Sequence, residues 1–147
     1  QKLSMPRLVS YKGMMYAEVP NFIQTFGYIN ASWTLRADLT SEYACRLLNA
    51  MDKKGVKQCM PRIQEEDLDM SLEDWVQDFS AGYMQRTMHL MPKQGNRDPW
   101  RNTQNYMFDK KLIREAPLED GSLIFEETRP DLAVFALPGD SDLESAA

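Results

Sequence analysis

Between Leu35 and Met51 apolar residues return at every fourth position: Leu35, Leu39, Tyr43, Leu47 and Met51, with Ala44 and Leu48 widening the stripe. That recurrence is the period of one helix face, so the sequence predicts an α-helix over about residues 35–54. A helix with a single apolar stripe has to bury it, and the rest of the chain is constrained to supply the cover. Thr34 or Ser32 stands where an N-cap is wanted, and Gly55 stands where a left-handed stop is wanted.

The segments flanking this helix read as a small α+β arrangement. Residues 7–11 and 14–19 form two short strands around the turn Lys12-Gly13, and Phe22–Phe26 is a third candidate strand ending at Gly27. Downstream, residues 56–63 contain β-formers and also Pro61, which suits a short or edge strand. Gln64–Asp69 is an acidic surface loop, and Ser71-Leu72-Glu73-Asp74 has the form of a capping box that starts a helical turn. Ser80–Met91 and Thr103–Arg114 are two further helices, separated by an irregular loop over Pro92–Arg101. Asp120-Gly121 then turns the chain into a last strand, Ser122–Phe125.

Composition narrows what such a domain does. The 147 residues suffice for one domain with a real core, and no apolar run approaches the roughly 20 residues of a membrane-spanning helix. Of the 22 acids and 17 bases behind the net charge of −5, six acids and one base lie from Glu126 onward, which leaves 16 of each in residues 1–125. A neutral body argues against nucleic-acid binding, and the acidic segment 126–147 reads as a disordered tail. Cys45 and Cys59 belong to no C-x-x-C pair and read as buried, reduced thiols, which points to a cytoplasmic setting. With His89 the one histidine, no metal site and no Ser-His-Asp or Cys-His triad is expected, and no residue is assigned a catalytic role.

The unit from Phe22 to Lys54 carries the most chemistry. A strand that runs through a Gly-started loop into a helix N-terminus gathers backbone N–H groups and the positive end of the helix dipole in one place. Asn30, Ser32 and Thr34 add side-chain donors there, Trp33 adds a flat ring, and Leu35 opens the helix. An ordinary strand-to-helix connection with a capped helix has the same ingredients. The loop is not G-x-G-x-x-G, so it carries no phosphate-binding fingerprint. Lys93, Arg97 and Arg101 around Trp100 read as a self-paired, solvated loop with a docked ring, and the ten methionines read as core filler.

Ordered motifs along the chain are familiar as a set. They run through Lys12-Gly13-Met14-Met15, Val19-Pro20-Asn21, Gly27-Tyr28-Ile29-Asn30-Ala31-Ser32-Trp33-Thr34-Leu35, Ala37-Asp38-Leu39 and Cys45-Arg46-Leu47-Leu48. They continue with Gly82-Tyr83, Pro92-Lys93-Gln94-Gly95, Pro99-Trp100, Gln104-Asn105-Tyr106 and Asp120-Gly121. This series resembles the C-terminal part of FAD-containing monooxygenases of the Baeyer–Villiger group, the ethionamide-activating type in particular.

The resemblance implies two Rossmann-like dinucleotide-binding domains, in which NADPH reduces FAD and the reduced flavin uses O2 to oxygenate a ketone or a thio-compound. Neither glycine fingerprint nor the family's F-x-G-x-x-x-H motif occurs in these 147 residues. The fold class it implies is therefore an α+β fragment: the C-terminal part of a Rossmann-like FAD-binding domain (1–60), a mostly helical extension (61–125) and the acidic tail (126–147). Such a piece would be inactive alone, with the remainder of the FAD and NADPH domains as its partners. The resemblance also places Asn30, Ser32, Trp33, Thr34 and Leu35 beside the flavin ring. The long helix, normally packed on a parallel sheet, should then expose part of its stripe here. The rival reading is a non-catalytic module that binds a protein partner.

Overall fold

The fold is described from a computed structural model, for residues 3–77 and 82–127. The acidic tail beyond Glu127 and the start of the helix expected from Ser80 lie outside the described residues.

The long helix, α1, spans Trp33–Lys54. It stops at Gly55, whose left-handed φ of 66° lets its N–H reach back to the Asp52 and Met51 carbonyls, while Lys53 and Lys54 sit against the negative end of the dipole. Its buried face is Arg36, Leu39, Thr40, Tyr43 and Leu47. The expected stripe is therefore correct at its centre and rotated at its ends: Leu35 is half-buried and Leu48 is 61% exposed.

Strands are short and paired in three antiparallel ribbons. Ser10–Tyr11 (β1) pairs with Met15–Tyr16 (β2) across the Lys12-Gly13 turn, in which both residues have positive φ (51° and 65°) as a type I′ turn requires. Gln58–Pro61 (β3) pairs with Leu123–Glu126 (β6), joining residues that are far apart in the chain. Pro61 is tolerated because β3 has only one ladder partner, and its carbonyl accepts from the Glu18 N–H at 2.8 Å. Leu72–Asp74 (β4) pairs with Lys93–Gly95 (β5). The remaining helices are Gly82–Thr87 (α2) and Tyr106–Arg114 (α3), the second begun by the Asn105 side chain accepting from the Phe108 N–H at 3.1 Å.

Five expectations are corrected here. Residues 61–125 are not mostly helical among the described residues: α2, α3 and two short 3-10 turns are interleaved with β4, β5 and β6. The Ser71–Asp74 segment starts no helical turn: Leu72–Asp74 is a strand, with Asp74 paired to Lys93 across the ribbon at 2.7 Å and the Gln94 amide donating to the Asp74 carbonyl. The loop 92–101 is correspondingly not all irregular, since β5 occupies its first part. Phe22–Phe26 joins no ladder: Asn21, at φ 54°, uses its side chain to bond Lys57 and Cys59 of the β3 segment, and the residues after it make the backbone bond Gln24 N–H to Met14 O. Cys45 is exposed and only Cys59 is buried.

One core joins the β1–β2 hairpin (Val9, Tyr11, Met14, Met15), α1 (Leu39, Tyr43, Leu47), Cys59, Trp100, Ile113 of α3 and Leu123. A second, of Leu8, Tyr16, Val19, Trp75, Val76 and Met88, lies against the other side of the hairpin. The hairpin and α3 thus supply the cover that α1 was expected to lack, and its central stripe is not exposed. We expect Leu47→Ala to cost about 2–5 kcal/mol of stability and Leu48→Ala less than about 0.5 kcal/mol, read from urea midpoints on this chain. Equal losses would mean that α1 is rotated from the orientation described.

Candidate functional site

The segment between Phe26 and α1 turns sharply and leaves most of its side chains in solvent. Gly27 and Tyr28 are buried, Ile29–Thr34 are exposed and Leu35 is half-buried. The five residues singled out from the sequence, Asn30, Ser32, Trp33, Thr34 and Leu35, therefore occupy one short surface stretch at the start of α1. Trp33 folds back onto Gly27: a Cβ at position 27 would lie 2.1 Å from the Trp33 Cγ, so only glycine allows that approach. The indole also meets the Phe26 ring at 6.1 Å and stays 55% exposed.

Ser32 is the N-cap by backbone geometry, but its hydroxyl is hydrogen-bonded to the Thr34 hydroxyl at 2.8 Å and caps no backbone N–H. No acid stands in the first turn of α1. The first turn of this 22-residue helix thus carries no carboxylate of its own at the positive end of the dipole. Chemically the stretch offers N–H and O–H donors and a flat ring to an electron-rich, planar ligand.

Behind this surface lies a polar framework that the sequence reading missed. Arg36, 2% exposed, forms an ion pair with Asp109 of α3 at 2.7 Å and donates to the Lys12 carbonyl in the hairpin turn. Gly13 makes room for it, since a Cβ there would lie 2.7 Å from the guanidinium. Tyr28 donates its hydroxyl to Asp109 at 2.7 Å, and Gln104 accepts from the Ile29 N–H at 2.9 Å. One signal was available: Arg36 falls three and four residues before Leu39 and Thr40, on the buried face.

A second pair joins the buried Lys12 ammonium to the more accessible Asp120 at 2.8 Å, beside Tyr11, which donates to the same carboxylate at 2.7 Å. Burial pushes the Asp120 carboxyl up, but the Lys12 ammonium, the Tyr11 hydroxyl and the Leu123 N–H outweigh it and hold it below the usual carboxylate range. Burial lowers Lys12 and raises Tyr11, so neither reaches its ordinary titration point.

Elsewhere, Trp100 is buried with its indole N–H donating to Asp67 at 2.7 Å, which makes the acidic 64–69 loop an anchor as well as a surface. Arg97 is held by Asp69 at 2.8 Å. His89 is exposed on a 3-10 turn. Among the described residues no group of three His, Cys, Asp or Glu side chains could hold a metal, and no helix is long and apolar enough to cross a membrane.

No protein-family model matches the chain, and no solved structure matches it. Named relatives do match: the chain is homologous over most of its length to FAD-containing monooxygenases, and spans about a quarter of theirs. It is 43% identical to the FAD-containing monooxygenase EthA of Mycolicibacterium smegmatis over 129 residues, 88% of this chain and 26% of that protein. It is also 43% identical to the FAD-containing monooxygenase EthA of Mycobacterium tuberculosis over 125 residues, 85% of this chain and 25% of that protein.

The Lys12–Asp120 pair generates a pH prediction. A carboxyl lowered in the folded state contributes stability that is present above its unfolded value of about 3.9 and is lost as pH falls through the folded value. A thermal-melt series from pH 7 to pH 2 should show an acid loss in the parent chain that is smaller in Asp120→Asn. The variant should also be about 3 kcal/mol less stable at neutral pH, because it leaves the Lys12 cation buried without a counter-charge. Parallel pH profiles for the two proteins would remove Asp120 from the acid response.

Proposed function

We propose that this chain is the C-terminal part of an NADPH- and FAD-dependent monooxygenase of the Baeyer–Villiger type, with residues 1–60 closing a Rossmann-like FAD domain and residues 61–125 forming its extension. Supporting this reading is the 43% identity to FAD-containing monooxygenases over most of the chain. Bound FAD, reduced by NADPH, would supply the activation of O2 that places one oxygen atom on a ketone or a sulfur centre and releases the other as water.

The chain's own residues fit such a group. Trp33 offers its exposed ring to a planar ligand, and the α1 N-terminus offers uncapped positive dipole to the side of a flavin ring that gains negative charge on reduction. Asn30, Ser32 and Thr34 supply exposed polar groups alongside, and Leu35 seats the first turn against the body of the protein. The two free cysteines suit a reducing compartment, the cytoplasm.

In the full-length monooxygenase, Trp33→Ala should weaken FAD retention and divert NADPH electrons to peroxide, while His89→Ala should leave turnover near the parent value. Flavin content per protein, and NADPH oxidised per product formed, measure both effects. Parent-like flavin content and coupling in Trp33→Ala, together with lost turnover in His89→Ala, would overturn the reading.

A further inference from the structure

Asp109 lies on α3, outside the Gly27–Leu35 stretch, yet the groups that fix both ends of that stretch converge on its carboxylate. Oδ2 accepts from the Tyr28 hydroxyl at 2.7 Å and pairs with the Arg36 guanidinium at 2.7 Å. Oδ1 accepts from the Thr103 hydroxyl at 2.5 Å. Tyr28 immediately precedes the exposed run Ile29–Thr34, and Arg36 follows it with Leu35 between. The Arg36 and Asp109 side chains are 2% and 3% exposed, so neither charge has water as an alternative partner and the paired geometry is the one retained.

Gln104 repeats the arrangement on the backbone. Its Oε1 accepts from the Ile29 N–H at 2.9 Å, and its Nε2 donates at 3.5 Å to the Gly27 carbonyl. Two side chains from one short stretch of sequence, Gln104 and Asp109, therefore hold the exposed run at its entry and its exit. A run of six residues pinned at both ends keeps few backbone conformations, which is the condition for presenting a ring and a set of donors in fixed positions.

We infer that Asp109 is the positioning residue of this surface: it fixes where Trp33 and the α1 N-terminus stand and, given the flavin reading above, how firmly FAD is held. Its carboxylate is enclosed by Tyr28, Arg36 and Thr103, so it acts through them.

The test compares Asp109→Asn with Ile113→Val in the full-length protein. The first keeps the side chain's size and removes the charge that holds Arg36. The second loosens α3 one turn further along, at a fully buried position that bonds none of the loop's anchors through its side chain. Amide hydrogen exchange across residues 27–35 reads the loop, and the FAD dissociation constant reads the cofactor, both at an equal interval below each variant's melting temperature. Asp109→Asn should speed exchange about tenfold and weaken FAD about tenfold, with Ile113→Val inside about twofold on both. Equal exchange in the two variants overturns the inference. Faster exchange with parent-like FAD affinity in both Asp109→Asn and Trp33→Ala supports Asp109 as the loop's anchor and overturns the flavin placement instead. Should Asp109→Asn fail to accumulate, Tyr28→Phe removes one bond to the carboxylate: a several-fold rise in exchange supports the inference, and no rise overturns it.

Discussion

The guanidinium of Arg36 fixes the register of three parts of the chain that share one apolar core. It leaves α1 at its first turns, pairs with Asp109 on α3, and donates to the Lys12 carbonyl at the tip of the β1–β2 turn. A buried cation is costly unless every donor is used, and arginine's planar fork suits two partners in different directions better than a lysine would. Its position also explains a backbone feature. The turn has to bring a carbonyl to the guanidinium, and Gly13 leaves the room where a Cβ would collide with it. Helix, hairpin and extension are thereby locked by one side chain.

Lys12 does a similar job one residue earlier in the turn. Its backbone carbonyl serves Arg36, while its own ammonium reaches Asp120 and lies over the Tyr11 and Tyr43 rings at 4.8 and 5.4 Å. The carboxylates of these two pairs, Asp109 and Asp120, come from the later half of the sequence, and both cations come from the earlier half. Apolar packing alone would tolerate sliding of α3 along α1, since it has no strong directional preference. The Arg36–Asp109 pair does not, because a small displacement would pull apart two charges that are both shielded from water. Arg46 adds a further fixed point by donating to the Ile113 and Ala116 carbonyls at the end of α3.

How much of this was legible in the sequence follows from range. Features set by neighbours within a few residues were readable: the period of α1, its glycine stop, the hairpin around Lys12-Gly13 and the final strand after Asp120-Gly121. Misreadings occurred where a distant partner overrode a local signal. Ser71–Asp74 has the residues of a capping box, but Lys93 and Gln94 claim Asp74 for a ribbon. Leu48 fits the apolar stripe by spacing, yet Arg36 takes the buried direction at the helix start and turns the stripe away from it. The candidate residues Asn30, Ser32, Trp33, Thr34 and Leu35 stand together in the chain, so a sequence can group them whatever they bind. The groups beneath them were not readable, because Asp109 and Gln104 lie more than seventy residues further along, with nothing in their own neighbourhood to mark them as partners of Tyr28, Ile29 and Arg36.

That difference in legibility matches a difference in work. On the inner side of the Gly27–Leu35 stretch, every strong bond is internal: Tyr28 to Asp109, Ile29 to Gln104, Arg36 to Asp109 and to the Lys12 carbonyl. On the outer side the groups are uncommitted. The Ser32 and Thr34 hydroxyls bond each other, Trp33 rests on Gly27 with more than half its surface in water, and no acid stands in the first turn of α1. A loop serving only to connect two elements would gain by capping its helix with the Ser32 side chain and by covering an exposed indole. Here the helix start remains uncapped while a buried ion pair holds the backbone still behind it. Rigidity underneath and unspent bonding capacity on top are what a binding surface requires, since the ordering cost is met during folding and the donors remain for the ligand.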